Sequence, residues 1–266
     1  MKALAWCVAV TCAVLLTGCA SIRDSQIAQV GALRVEFAQA GSQMPVVVFE
    51  NGLGGTLDWW AKVFPEVSKE TTVFAYNRPG YGGSDRPTTP RGGDQIVEEL
   101  RTLLQSRGLK PPYVLVGHSL GGLYMQLFAR HFPGEVAGLV LVDSTHPEQL
   151  KGAGAMDQWS LWQRTVFGIA LSATAKAELE RVQDTGRAVL SLPPLVGKPV
   201  IVLSALQPTL EHEPSAIAKD ANEKRVDVLR LHPGAKQVWV DSGHAVPLEK
   251  PEAVISAIQE VIQNVR

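Results

Sequence analysis

The segment Gly117-His118-Ser119-Leu120-Gly121-Gly122 sets a serine among glycines, directly after the apolar run Tyr113 to Val116 and directly before the helix-like Leu123 to His131. Between a strand and a helix, this G-x-S-x-G spacing holds the serine on a tight, strained turn with its hydroxyl exposed, the posture of a nucleophile. The competing role for Ser119 is to cap the helix that follows, a common use of serine. A serine hydroxyl attacks only when a base takes its proton, which makes the six histidines the next residues to weigh. His118 lies inside the turn, His131 at a helix C-terminus where a cation is favoured, and His212 and His232 near helix ends. His244, in Asp241-Ser242-Gly243-His244, follows the last apolar run, and His146 is its one rival. Cys7, Cys12 and Cys19 all fall in the first nineteen residues, so the rest of the chain has no thiolate for nucleophilic or metal chemistry.

With this turn, the chain resembles the α/β-hydrolase superfamily from about Val35 to its C-terminus. The resemblance implies a histidine on the loop between the last strand and the last helix, and His244, followed by Pro247 and a final helix, stands there. It also implies an acid after the penultimate strand, but Val200 to Leu203 runs into Ser204-Ala205-Leu206-Gln207-Pro208, with no carboxylate. A neutral amide such as Gln207 cannot stabilise an imidazolium. Some members carry the acid one strand earlier. Here Leu139 to Val142 ends in Asp143, and the order Ser119, Asp143, His244 is kept. Asp143 is therefore the expected acid, with a purely structural role as its alternative and Glu211 and Glu213 as rivals on the later loop. Asp241 is too near His244 along the chain to reach the far ring nitrogen easily.

The resemblance further implies an oxyanion hole of two backbone N–H groups aimed at developing charge. Leu120, just after the serine, supplies one. Leu53 supplies the other by position, in Glu50-Asn51-Gly52-Leu53-Gly54-Gly55, where Asn-Gly stands in place of the family's usual His-Gly. The donor is a main-chain group, so that change need not matter, and the run lacks the Lys-Ser/Thr ending of a phosphate cradle. Tyr76-Asn77-Arg78-Pro79-Gly80-Tyr81-Gly82-Gly83-Ser84 resembles the family's Asp-x-x-Gly-x-Gly-x-Ser turn and reads as scaffold without chemistry of its own. No metal spacing and no dinucleotide fingerprint is present, so no cofactor is expected.

Apolar runs recur at Pro45 to Phe49, Thr71 to Tyr76, Tyr113 to Val116, Gly138 to Val142, Pro199 to Leu203 and Gln237 to Val240, with an alternating Leu33, Val35, Phe37 before them. Continuous runs suit strands buried on both faces of a parallel sheet. Helix-like stretches lie between them at Leu57 to Val67, Asp94 to Arg107, Leu120 to His131, Ser215 to Leu231 and Pro251 to Val265. The alternation predicts an α/β fold, a mostly parallel sheet with helices on both faces. From His146 to Gly197 the rhythm breaks. A helical cap inserted over about residues 147–197 is expected there, with Trp159 and Trp162 sharing a helix face beside Phe167 and Ile169, and a helix over Ala173 to Arg187.

A hydrophobic content of 45% over 266 residues excludes disorder for most of the chain, and a net charge of −1 without a basic run gives no reason to expect nucleic acid. Lys2 followed by an uncharged stretch to Cys19 describes a secretory signal, too short to favour a membrane span. Leu16-Thr17-Gly18-Cys19 resembles the lipobox of bacterial lipoproteins, which implies a signal over residues 1–18, lipid on Cys19, a tether over 19–30 and the hydrolase domain over 31–266. The expected location is the bacterial cell envelope, at the periplasmic side of the outer membrane, since Ala20 and no acidic residue follows the cysteine. The expected partner is a small acyl substrate. An acyltransferase or perhydrolase would use the same site, and a binding or signalling protein of this fold would have little turnover.

Overall fold

The computed structural model describes residues 21–155, 171–207 and 215–266. Its centre is a strand of five buried residues, β3 (Val46–Glu50), in which Val46 and Val48 enter one core while Val47 and Phe49 enter another on the opposite face. This is the two-residue alternation of an extended chain with both faces covered. The same two-sided burial holds in β4 (Thr72–Tyr76), β5 (Tyr113–His118), β6 (Val136–Val142) and β7 (Val200–Ala205). With β1 (Gln26–Val30), β2 (Leu33–Ala40) and β8 (Lys236–Val240) they form an eight-stranded sheet in the order β1-β2-β4-β3-β5-β6-β7-β8. The pairs β1–β2 and β2–β4 are antiparallel, and all later pairs are parallel.

Helices cover both faces. The helix α2 (Gly93–Ser106) buries Ile96, Val97, Leu100, Leu103 and Leu104, and the last helix, α8 (Pro251–Val265), buries Val254, Ala257, Ile258, Val261 and Ile262. Both patterns are the apolar stripe of an amphipathic helix laid on a sheet. The helix α3 (Leu120–His131) is buried over nearly its whole length between sheet and outer helices.

Three expectations from the sequence are corrected. Residues 26–30 are not tether but strand β1, which pairs with β2 through Ile27↔Glu36 and Ala28↔Val35. Only Ala28 of this edge strand is buried, so its sequence lacks the apolar alternation of a core strand. The helix foreseen over Leu57 to Val67 is a 3₁₀ turn, Leu57–Trp60, followed by the short α1 (Phe64–Val67) with Pro65 in its first turn. Pro65 donates no N–H, so a helix cannot pass unbroken through it. The helix foreseen over Ala173 to Arg187 is two, α4 (Ala173–Glu180) and α5 (Val182–Ser191), joined at Arg181.

The described part of the insertion packs on the main core. Val182 and Val189 join the core beside α2 and α3, Thr185 Oγ1 accepts from the Gly93 N–H, and Arg130 donates to the Val189 and Leu192 carbonyls. Trp159, Trp162, Phe167 and Ile169 lie outside the described residues, as do Cys19, Glu211 and Glu213. Among the described residues, the remaining α-helices are α6 (Ser215–Leu231), before β8, and the single turn α7 (Val246–Glu249), after it.

Candidate active site

The backbone of Ser119 has φ +52° and ψ −123°, between the end of β5 and the start of α3. A non-glycine residue held at positive φ is strained and persists only where its surroundings enforce it. Here the Ser119 N–H donates to the Val142 carbonyl, while the Ser119 carbonyl accepts from Gly122 and Thr145. Gly121 lets the turn close, since a Cβ there would lie 2.5 Å from the Glu50 and Asn51 carbonyl oxygens. The strain aims the hydroxyl away from the sheet.

His244 comes from the loop between β8 and α7, its Nε2 2.9 Å from Ser119 Oγ and its Nδ1 2.6 Å from Asp143 Oδ2. Asp143 directly follows β6, the neighbour of β5, with His118 and Val142 in register. Its own backbone turns through φ +39°, and its N–H donates to the Leu203 carbonyl. The side chain is nearly buried, and Oδ1 accepts from the Ala205 N–H at 3.1 Å and from Arg225 Nε at 2.9 Å. Arg225 Nη2 donates to Oδ2 at 3.1 Å. Burial alone would raise this carboxyl, but the hydrogen bonds and charges of His244 and Arg225 outweigh it and hold Asp143 well below the usual carboxylate range. It is an ionised carboxylate facing the ring.

The rivals are elsewhere. His146 Nε2 meets Asp227 Oδ2 at 2.9 Å and its Nδ1 accepts from the Glu148 N–H, so both ring nitrogens are engaged away from Ser119. Asp241 accepts from Gln207 at 3.3 Å, while the hydrogen bonds of the His244 ring go to Asp143 and Ser119. The loop after β3 lies against the serine turn, and a Cβ on Gly52 would be 3.0 Å from Ser119 Cβ. Leu53 and Leu120 therefore flank the serine, and among the described residues neither backbone N–H has a hydrogen-bond acceptor. A cavity of about 260 Å³ opens beside Ser119 and His244, and His146, Lys224 and Arg225 line its far side.

Two contributors escaped the sequence reading. Arg225 sits on α6 with no motif around it. His118 lies beneath His244, ring centroids 4.8 Å apart, with Trp59 stacked on its other side at 4.9 Å. Its Nε2 is 2.8 Å from the His244 carbonyl, which accepts its hydrogen bond and ties down the loop that carries His244. Its position within the G-x-S-x-G turn was the available signal.

Burial, reinforced by the neighbouring His244, pushes His118 down to about 3, and burial with Arg130 pushes His232 down to about 4. Both are neutral in the native state. The unfolded chain takes up these protons below about pH 6.5, so their stabilisation is complete above that value and is lost as pH falls toward 4. Each should cost about 2 kcal/mol of stability between pH 7 and pH 5. Urea unfolding at the two pH values should show this loss, reduced by about 2 kcal/mol in His232→Gln. An unchanged pH dependence in that variant would assign the acid sensitivity to other groups.

The model of the alpha/beta hydrolase fold family matches residues 45–182, just over half of the chain, and spans β3 through α4 with the serine turn inside it. The chain belongs to the α/β-hydrolase fold family. The chain is 36% identical to the uncharacterized protein YqjL of Bacillus subtilis (strain 168) over 103 residues, 39% of this chain and 41% of that protein. It is 34% identical to the (lyso)-N-acylphosphatidylethanolamine lipase of Bos taurus over 101 residues, 36% of this chain and 29% of the lipase. The chain thus spans about two fifths or less of the length of such relatives. Its fold superimposes on a thermophilic esterase from Thermogutta terrifontis with a TM-score of 0.67, at 22% identity, over 91% of this chain and 99% of the esterase.

Proposed function

We propose that this hydrolase is a cofactor-independent serine hydrolase that cleaves a small ester or related acyl substrate through an acyl-enzyme. The observation that carries the reading is the unbroken chain from Ser119 Oγ through both nitrogens of His244 to Asp143, at 2.9 and 2.6 Å. The substrate carbonyl carbon is attacked by Ser119 Oγ as His244 Nε2 takes the hydroxyl proton. Asp143 holds the Nδ1–H tautomer and compensates the imidazolium charge. The Leu53 and Leu120 N–H groups face the tetrahedral oxyanion. As it collapses, His244 returns the proton to the departing alcohol, leaving the acyl group on Ser119, and a water activated by the same ring then releases the acid. Every catalytic group in this scheme is a side chain or backbone N–H of the chain. The lipase named among the relatives and the esterase among the structural neighbours support acyl chemistry by analogy.

A fluorophosphonate probe together with a panel of p-nitrophenyl esters tests the reading. Labelling of Ser119 with turnover of short-chain esters is expected. Labelling without turnover of any ester would favour a binding protein built on the same fold.

We also propose that Cys19 carries diacylglycerol and anchors the enzyme in the bacterial envelope, facing the periplasm from the outer membrane. The motif Leu16 to Cys19 supports this, and no helix among the described residues is long and apolar enough to cross a membrane. Two or three acyl chains give stable anchoring where one is marginal. Cys19→Ser should stop incorporation of labelled palmitate and move the protein out of the detergent phase. Unchanged labelling and partitioning would defeat the anchor.

A further inference from the structure

The turn after β4 carries more than scaffold. Its Arg78 is a fully buried guanidinium, 1% exposed, between Glu50 at the end of β3 and Glu178 on α4 of the insertion, both of them 0% exposed. Nη1 donates to Glu50 Oε1 and to the Asn51 carbonyl at 2.7 Å. Nη2 donates to the Gly52 carbonyl at 3.0 Å and to Glu178 Oε2 at 2.9 Å, and Nε to Glu178 Oε1 at 3.0 Å. These contacts use all five N–H donors of an arginine. The Tyr81 hydroxyl donates to Glu178 at 2.9 Å, the Tyr76 hydroxyl donates to Glu50, and the rings of Tyr81 and Tyr124 flank the cation at 5.0 and 5.3 Å. Arg91 Nε stands 3.9 Å from Glu178 as a second cation.

Two of those donors go to consecutive carbonyls of the loop after β3. A trans peptide is planar with its C=O and N–H on opposite edges. With the Gly52 oxygen held by Arg78 and by the Gly55 N–H at 3.2 Å, the Leu53 N–H of the same peptide must point to the other side. Gly52 also packs against Ser119, which leaves the loop little room to rotate.

We propose that Arg78 is a positioning residue for the oxyanion hole, fixing the direction of the Leu53 N–H, and that Glu178 makes this geometry depend on the seating of the inserted helix α4. The inference rests on Ser119 being an acyl-transfer nucleophile. It assigns a polar link from the cap helix, through Arg78, to the loop that carries the Leu53 N–H. A guanidinium suits the task because its planar fork reaches two carbonyls and a bidentate carboxylate at once, which a lysine ammonium cannot.

Arg78→Lys and Glu178→Gln test it, with folding checked by circular dichroism and active sites counted by fluorophosphonate titration. Per titrated site, Arg78→Lys should lower kcat on p-nitrophenyl butyrate about a hundredfold with KM nearly unchanged, because a misaligned oxyanion donor is missed only in the transition state. Glu178→Gln leaves both carbonyl contacts in place and should lower kcat about tenfold. A trifluoromethyl ketone, whose serine adduct is a tetrahedral oxyanion, should bind each variant more weakly by the same factor. A merely structural role would reduce the number of titratable sites while leaving kcat per site and ketone affinity unchanged, and that result would overturn the proposal. So would loss of folding in both variants. A wild-type protein that neither labels nor turns over would remove the Ser119 reading and this inference with it, a different outcome from active wild type with unaffected variants.

Discussion

Ser119→Ala is expected to lower kcat for ester hydrolysis by about 10⁶ and to abolish fluorophosphonate labelling, the loss seen when the nucleophile of a triad is removed. The size follows from covalency. Without Oγ there is no acyl-enzyme, and His244 can only assist direct attack by water. A residual rate of about 10³ to 10⁴ over the uncatalysed reaction should survive, because the oxyanion donors and the cavity remain. The variant should stay folded, since serine's main-chain bonds to Val142, Gly122 and Thr145 do not use the hydroxyl. Alanine meets the same backbone strain at φ +52° as serine does, so the Tm should stay close to that of the wild type. Hydrolysis at the wild-type rate by the purified variant would remove Ser119 from the chemistry altogether.

Asp143→Asn should lower kcat by about 10⁴, with kcat/KM falling alongside and substrate affinity little changed. The amide can still accept from Arg225, but its NH₂ then faces Nδ1 of His244 where a carboxylate oxygen stood. The ring is forced to carry its proton on Nε2, toward Ser119, and can no longer act as a base. Glu211→Gln and Glu213→Gln should be nearly silent. An active Asp143→Asn enzyme paired with an inactive variant at either glutamate would move the acid to the later loop and return Asp143 to a structural role. Arg225 sharpens the expectation, because the same guanidinium that keeps Asp143 ionised also restrains both of its oxygens.

The elements that hold these groups were largely legible, and the reason is local. A buried parallel strand announces itself as a short apolar run, and a serine turn that must pass a neighbouring backbone needs glycine on either side. Both signals fit within six residues. Strand β1 was not legible because an edge strand with one buried side chain needs no apolar alternation. The glutamate at 178 reads in the sequence as one more charge on a short helix of mixed composition. Its partner lies 100 residues away, so no spacing in the chain could have paired them. The same holds for Arg225 and Asp143, which are 82 apart. What escaped was the set of polar pairings made by topology, whereas what was read was dictated by the backbone's own conformational needs.

From β5 outward the strands stand in the order in which the chain is made, β5, β6, β7, β8. Ser119 follows the first of them, and His244 follows the last, 125 residues later. With Ser119 and His244 in the proposed roles and a synthesis rate of 5–20 residues per second, a nascent chain holds its nucleophile for about 6 to 25 s before its base is made. The order thus imposes a delay on reactivity. A half-made chain, or one whose final strand and helix have not yet docked, presents an unactivated hydroxyl that is no more dangerous to cellular esters than any other serine. On the proposed mechanism, reactivity begins only with the last step of assembly.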